Sequence, residues 1–258
     1  MALDFMLPVG AQVIGAAAAS VTNLVGTTQG DVSLGAFRVE CTNNATNVIQ
    51  PDARLTDFRI ANQSVFCSNG TGFPVAALQS AVQAQDFIVG VTLAAGTNVQ
   101  YQITGGVGAP GPYEVGGYIC TDPILPGELP EGAAAGDWAL SDIALLFPLN
   151  EAALPGGAGA QVVMEATCNR TCTLGKLFLT SAGNVNTISV TSILVGGEEQ
   201  FAESTTVGIP IAAFSPLATL NDGDMDLNKV ITPGESVQIT LQNGAAGAVD
   251  VFGGIYCK

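Results

Sequence analysis

The densest group of side chains able to bind a metal ion is the segment Asn221–Lys229, NDGDMDLNK. Its acidic and amide side chains alternate along the chain, which is the spacing of oxygen ligands in an EF-hand calcium loop. The candidate calcium ligands are Asp222, Asp224, Asp226 and Asn228. The segment departs from an EF-hand, because Leu227 stands where glycine is needed and Pro233 where the final glutamate is needed. The alternative is a solvated acidic loop, and no other cofactor is expected.

Cysteine is the second residue type whose side chain could bind a metal ion or form a disulfide. The six cysteines lie at positions 41, 67, 120, 168, 172 and 257, and only Cys168 and Cys172, in CNRTC, are close in sequence. A zinc site would need further ligands at matched spacing, yet the chain has no histidine and no second such pair. The sequence therefore predicts buried, reduced cysteines that pack as small apolar side chains, with a Cys168–Cys172 disulfide as the alternative.

Composition limits the kinds of partner. The 258 residues are 48% hydrophobic and only 11% charged, against roughly 25% charged in an ordinary soluble domain. With few charges to keep its surface in water, the chain is expected to be covered by copies of itself. The net charge is −15 and the seven basic residues are scattered. Because nucleic-acid binding needs clustered Lys and Arg, no direct nucleic-acid partner is expected.

The N-terminal segment is apolar, but it does not have the pattern of a secretion signal. It contains no Lys or Arg in its first 20 residues, it carries Asp4, and Pro8 interrupts the apolar run. No uninterrupted apolar run approaches the length of about 18 residues that a membrane-spanning helix needs. The segment is therefore expected to belong to the fold.

An internal repeat explains much of the sequence. GFPVAAL at Gly72–Leu78 returns as GIPIAAF at Gly208–Phe214. The other matches, in the same order in both halves, are FMLPV with LLFPL, SLGAFRV with TLGKLFL, LTDFRIANQSVF with VTSILVGGEEQF, AAGTNVQYQITGG with TPGESVQITLQNG, and VGGYIC with FGGIYC. A nearly constant offset across whole halves predicts a tandem duplication.

The duplication sets the expected domain boundaries. We predict a first domain at residues 1–120, a linker at 121–140 with three prolines, and a second domain at 141–258. The repeats keep glycine, proline and apolar alternation, but their matched segments share no Asp or Glu. Such a pattern preserves a backbone rather than a catalytic site.

Enzymatic activity is not expected. The absence of histidine excludes mechanisms that depend on it. A pair of carboxylates could hydrolyse glycosides, but no acidic residue is shared by the repeats, and 6% aromatic residues is few for a sugar-binding platform. No glycine-rich loop between a strand and a helix is present to bind phosphate.

The elements that must position these residues are predicted to be strands. AFRVECT, LTDFRIA, VQYQITG and VQITLQN alternate apolar and polar residues, and turn signals recur about every 8 to 12 residues. Helical patterning is weak. Each half has room for roughly eight short strands in two packed sheets, so we predict an all-β protein of two tandem, similar β-sandwich (jelly-roll) domains.

In this organisation the chain resembles the double jelly-roll major capsid proteins of tailless icosahedral viruses, the group that includes membrane-containing bacteriophages and adenovirus. The resemblance covers the whole chain through its paired sandwiches and linker, and no short motif carries it. It implies a homotrimer with a pseudo-hexagonal outline, in which two barrels per chain stand roughly perpendicular to the shell. Long tower-like loops, which many members carry, have little room here.

The expected function is therefore that of a viral major capsid protein, which self-assembles from trimers into an icosahedral lattice. The resemblance implies a location in the virion after assembly in the host cytoplasm, with other capsid or membrane-associated virion proteins as partners. The alternative is a secreted or cell-surface tandem β-sandwich protein, such as a fibre subunit or a carbohydrate-binding module. Exposed aromatic residues would favour this alternative.

Overall fold

The computed structural model describes residues 5–14, 21–43, 53–78, 91–105, 113–123, 145–181, 187–201, 208–215 and 226–257. These residues form antiparallel sheets, with short 3₁₀ helices at Val75–Leu78 and Ile211–Phe214. The prediction of an all-β protein is confirmed. No helix among the described residues is long and apolar enough to cross a membrane.

The strands of the first half of the chain are β1 Phe5–Ile14, β2 Val21–Thr27, β3 Val32–Asn43, β4 Arg54–Ile60, β5 Gln63–Ser64, β6 Phe73–Pro74, β7 Thr92–Leu93, β8 Asn98–Thr104 and β9 Tyr113–Pro123. Those of the second half are β10 Leu145–Pro148, β11 Ala152–Leu154, β12 Gln161–Thr167, β13 Cys172–Ser181, β14 Ile188–Val195, β15 Glu198–Glu199, β16 Ile209–Pro210, β17 Asp226–Ile231, β18 Ser236–Asn243 and β19 Val249–Cys257.

The chain divides into two compact units. The first comprises Met1–Gln50, Leu55–Val65 and Leu78–Ala144, and the second comprises Pro51–Arg54, Phe66–Ala77 and Leu145–Lys258. Phe66–Ala77, called the inserted segment below, comes from the first half of the sequence but belongs to the second unit. Of the predicted linker, Thr121–Pro123 end β9 and residues 124–140 lie outside the described part.

Two sheets form the first unit, with strand orders β1-β9-β3-β7 and β2-β8-β4-β5. Three buried aromatic rings join them. Phe37 of β3 stacks on Phe58 of β4, with 4.4 Å between ring centroids, and meets Tyr101 of β8 edge to face at 5.3 Å. Because β3 belongs to one sheet and β4 and β8 to the other, the apolar faces of the two sheets meet in one core.

The second unit also has two sheets. Their orders are β10-β19-β13-β17, with β11 also paired to β19, and β12-β18-β14-β15, with β16 also paired to β14. One hydrophobic cluster takes side chains from both sheets, among them Phe147, Leu179 and Ile255 from the first and Met164, Ile193 and Ile239 from the second.

The alternation of apolar and polar residues along each strand explains why the sheets pack against one another through one apolar face. Along β18, SVQITLQN, every second residue from Val237 to Asn243 is buried. Along β2, VTNLVGT, the buried positions are the second, fourth and sixth. Successive side chains of a strand point to opposite faces, so one face of each strand supplies the core and the other meets solvent.

The inserted segment is bonded into the second unit along its length. The backbone N–H groups of Cys67 and Asn69 donate to the carbonyl oxygens of Leu146 (2.9 Å) and Thr167 (3.0 Å). At its far end, Tyr256 donates its hydroxyl proton to the carbonyl oxygen of Ala77 (2.7 Å). The ring of Phe73 stacks on Tyr256 at 5.4 Å. The segment therefore supplies both hydrogen bonds and core side chains to a unit built mostly from later sequence.

Candidate functional site

The most concentrated reactive chemistry among the described residues is a cluster of three thiols. Cys67 lies in the inserted segment, Cys172 begins β13 and Cys257 ends β19. Their Sγ atoms form a nearly equilateral triangle: 3.6 Å from Cys67 to Cys257, 3.5 Å from Cys67 to Cys172 and 3.4 Å from Cys172 to Cys257. All three side chains are buried. We call these residues the thiol triangle.

Backbone pairing brings the three cysteines together. In the β13–β19 ladder Leu174 lies opposite Cys257, which places the start of one strand beside the end of the other. The carbonyl oxygen of Cys67 accepts a hydrogen bond from the backbone N–H of Asn169 (2.9 Å). Ser68 forms an isolated antiparallel bridge with Cys168. The inserted segment is thereby held against the turn that leads into β13.

A fourth cysteine lies in that turn. Cys168 is buried, and its thiol donates to the carbonyl oxygen of Arg170 at 2.6 Å. Cys67, Cys168, Cys172 and Cys257 are all free thiols, so the alternative of a Cys168–Cys172 disulfide is absent from the structure. Cys41 and Cys120 lie on β3 and β9.

The thiols of the triangle differ in acidity. Hydrogen bonds from Cys257 and Cys67 favour the thiolate of Cys172 and lower the pKa of that group. Burial raises the pKa of the Cys257 thiol well above its ordinary value. For Cys67, the hydrogen bond with Cys172 together with burial raises the pKa. The arrangement therefore favours one thiolate held by two S–H donors.

The candidate calcium ligands are only partly described. Asp222 and Asp224 lie outside the described residues, whereas Asp226 begins β17 opposite Lys176 of β13. Asn228 is exposed and adopts a positive φ of 48°, a conformation that asparagine tolerates better than most residues. Calcium binding by this segment stays a prediction.

A surface depression of about 530 Å³ lies at one edge of the sheet that contains β14 and β18. Its lining includes Ser189, Pro210, Gln242 and Asn243, together with glycine backbone. Among the described residues, no acidic or basic side chain lines it. This described lining can offer hydrogen bonds to a ligand, but it contains no group to exchange a proton near neutral pH.

Sequence reasoning missed the thiol triangle. The three residues are separated by 85 to 190 positions, whereas zinc-site rules look for pairs a few residues apart. Only the strand register, which pairs the end of β19 with the start of β13, joins them. The repeated VGGYIC and FGGIYC show that Cys257 ends a core strand, and this was the one available signal.

No protein-family model matches the chain, and no curated protein sequence matches it at a significant level.

Proposed function

We propose that the chain is the major capsid protein of a tailless icosahedral virus. Each half is a jelly roll, the two arose by duplication, and three chains form a pseudo-hexagonal trimer that tiles a closed shell. The function depends on geometry. Because each chain contributes two similar sandwiches, a trimer with threefold symmetry has six roughly equivalent sides.

The shared strand order of the two units carries the proposal. In the first unit the first strand neighbours the last, β1 with β9, and the second neighbours the next to last, β2 with β8. β3 then lies beside β9, and β4 beside β8. The second unit has the same strand order. Its strands β10, β12, β13 and β14 correspond to β1, β2, β3 and β4, in that order. Its strands β18 and β19 correspond to β8 and β9. Strands that wrap from both ends of a segment into two sheets are typical of jelly rolls.

An exposed, uncharged edge supports self-association. β2 contains no charged residue, and Val21 and Val25 on it are 54% and 52% exposed. β2 is the terminal strand in the order of its sheet. Soluble proteins usually protect such edges with charged residues. A second chain packed against β2 would remove this apolar surface from water.

The basic residues support the expectation that the protein does not bind the genome directly. Arg54 is paired with Glu151, Arg59 with Asp57, and Lys229 with Glu198. These cations already contact carboxylates, and the chain has only four further Lys and Arg residues. A membrane or a separate basic protein would then link the shell to the nucleic acid.

The test is the mass and assembly of the purified full chain. We expect a particle of three chains by light scattering, about 78 kDa from 26.1 kDa each, and pseudo-hexagonal particles or closed shells by electron microscopy. Val25→Lys should weaken assembly at least about tenfold, because it places a charge in a contact that is desolvated on association. Trimer contacts of this kind bury on the order of 2,000 Å² or more.

The matched control is Ala95→Lys, which adds the same charge at an exposed turn between β7 and β8. It should leave assembly unchanged. A stable monomer that forms no lattice and binds a glycan would contradict the capsid proposal and support the binding module. Equal effects of Val25→Lys and Ala95→Lys would exclude β2 as a contact surface.

A further inference from the structure

The thiol triangle has the dimensions of one face of a metal-coordination tetrahedron. Zinc binds cysteine sulfur at about 2.3 Å, so the sulfurs of a tetrahedral site lie about 3.8 Å apart. The three separations in the protein, 3.4, 3.5 and 3.6 Å, are within a few tenths of an ångström of that value. An ion at bonding distance from all three sulfurs would sit only about 1 Å out of their plane. No backbone movement is needed to bring three ligands to one ion.

Cys168 is the candidate for the fourth ligand, and its side chain must turn toward the ion, because its sulfur does not lie within 4.8 Å of all three sulfurs of the thiol triangle. It precedes Cys172 by four residues in CNRTC, and a spacing of two to four residues between paired cysteines is usual in structural zinc sites. Its thiol donates to the carbonyl oxygen of Arg170 and also interacts with the thiol of Cys172 in the thiol triangle. A side-chain rotation toward the ion would release the bond to Arg170. The turn that carries Cys168 is already attached to the inserted segment through the Ser68–Cys168 bridge.

A second observation in the same turn concerns charge. The Nη1 atom of Arg170 is buried and has no hydrogen-bond partner among the described residues. A buried, unpartnered guanidinium nitrogen is costly unless a negative group lies nearby. Four thiolates around a divalent ion carry a net charge of −2, and a guanidinium in the C-x-x-x-C turn would offset part of it.

We infer that Cys67, Cys168, Cys172 and Cys257 bind one zinc ion, which fastens the inserted segment to β13 and β19. Each thiol gives up its proton to solvent as it binds, so four S–H bonds are replaced by four zinc–sulfur bonds. Thiolate ligands in tetrahedral array select zinc or iron–sulfur clusters. Sulfurs this close together surround a single ion, which favours zinc. The site is structural because all its ligands come from the protein and none of its positions is open.

The inference is independent of the proposed capsid function. A zinc ion here would stabilise the second unit whether the chain assembles into shells or acts as a monomer. The experiment accordingly measures metal content and spectra rather than assembly.

The full chain is produced with zinc in the medium, purified under reducing conditions, and analysed for metals by mass spectrometry. We expect about one zinc ion per chain. After the zinc is removed with a chelator, titration with Co²⁺ should give thiolate-to-cobalt charge-transfer bands, with visible bands of tetrahedral intensity, that saturate at one equivalent. Because burial alone shields these thiols, their alkylation is compared before and after the zinc is removed. Four thiols should react more slowly in the zinc-loaded chain, and this measurement needs no variant.

The variants Cys67→Ser, Cys172→Ser and Cys257→Ser should each lower zinc affinity by at least about tenfold. Cys41→Ser, on β3 of the other unit, is the control and should keep one zinc ion per chain. Cys168→Ser should retain weaker binding and shift the cobalt spectrum to that of a site with three sulfur ligands. Circular dichroism checks that each variant is folded. If a variant does not fold, the alkylation measurement on the unmodified chain tests zinc binding in its place.

Three results would overturn the inference. The first is a folded, reduced chain that takes up no zinc from excess zinc chloride and gives no cobalt charge-transfer band. The second is one copper or iron ion per chain in place of zinc. The third is an unchanged zinc affinity in Cys67→Ser. A cobalt spectrum unaffected by Cys168→Ser would overturn the role of Cys168 as the fourth ligand.

Discussion

Gly254, on β19, shows how closely the inserted segment packs at the scale of one residue. A Cβ atom at this position would lie 2.4 Å from Cδ2 and 2.6 Å from Cε2 of Phe73. The ring of Phe73 cannot move aside easily, because it stacks on Tyr256, which in turn contacts Phe178 at 4.8 Å. The absence of a side chain at Gly254 is therefore what lets the inserted segment lie against β19.

We predict that Gly254→Ala lowers the free energy of unfolding by about 1–3 kcal/mol, the usual cost of overpacking a core. Chemical denaturation monitored by circular dichroism measures the change. The control is Gly247→Ala, where an added Cβ would meet nothing within 4 Å. Phe73→Leu in the Gly254→Ala background should recover part of the loss, and strictly additive effects of the two substitutions would contradict the proposed clash.

At the scale of elements, the β14–β15 hairpin is fixed by one carboxylate. Gly196 and Gly197 form its turn with positive φ values of 58° and 85°, as a two-residue hairpin turn requires. The carboxylate of Glu199 accepts hydrogen bonds from the hydroxyl of Ser192 (2.5 Å) and from the backbone N–H groups of Ile193 (3.1 Å), Gln200 (3.1 Å) and Phe201 (3.2 Å). Burial raises the pKa of Glu199, but these hydrogen bonds outweigh it, and the net pKa is lowered.

A lowered carboxyl pKa has a definite consequence for stability. The contribution of Glu199 is fully present above the pKa of about 4.3 that glutamate has in an unfolded chain, and it is lost as the pH falls through the lower pKa of the folded state. We predict that Glu199→Gln lowers the melting temperature at pH 7, by a few degrees at most since the group is exposed. The difference from the unmodified chain should shrink below about pH 4.

The control for this prediction is Glu198→Gln on the same strand, which removes only an exposed pair with Lys229. Its effect on the melting temperature should be smaller. A Glu199→Gln difference that stays constant from pH 7 to pH 3 would show that the carboxylate does not stabilise the hairpin.

Two other strands, β4 and β18, show how far sequence reasoning extends. Alternation in LTDFRIA and VQITLQN predicts β4 and β18, because burial of one strand face follows from local pattern. The thiol triangle could not be predicted in this way. It depends on the β13–β19 register and on the position of Cys67, and both are set by contacts between residues far apart in sequence. Local rules identify strands well, but they identify only poorly which strands pair with one another.

At the scale of the whole molecule, the second unit depends on sequence from the first half. Residues 141–258 alone would lack Phe73, Val75 and Cys67, all fully buried in the complete chain. We predict that this fragment is less stable than the same unit in the full chain by more than about 3 kcal/mol, since truncation of one buried phenylalanine already costs that much. Denaturant unfolding followed by circular dichroism provides the comparison.

The matched control is a chain in which residues 66–77 are joined by a flexible linker to the start of the fragment 141–258. It should recover most of the lost stability, because it restores the missing core side chains and their hydrogen bonds. A fragment 141–258 that unfolds as cooperatively, and at the same denaturant concentration, as the full chain would show that the inserted segment contributes little.

The order in which a ribosome makes the chain gives the inserted segment a further consequence. The segment ends at Ala77, but β19, on which Phe73 stacks, begins only at Val249. At a synthesis rate of roughly 5–20 residues per second, about 9–34 s pass between the two. During that interval Phe73 and Val75 lack the strand that completes their packing, and unwanted association between nascent chains competes with folding. The yield of folded protein should therefore depend on the speed of translation and on chaperones, more than it does for a protein whose domains are each contiguous in sequence.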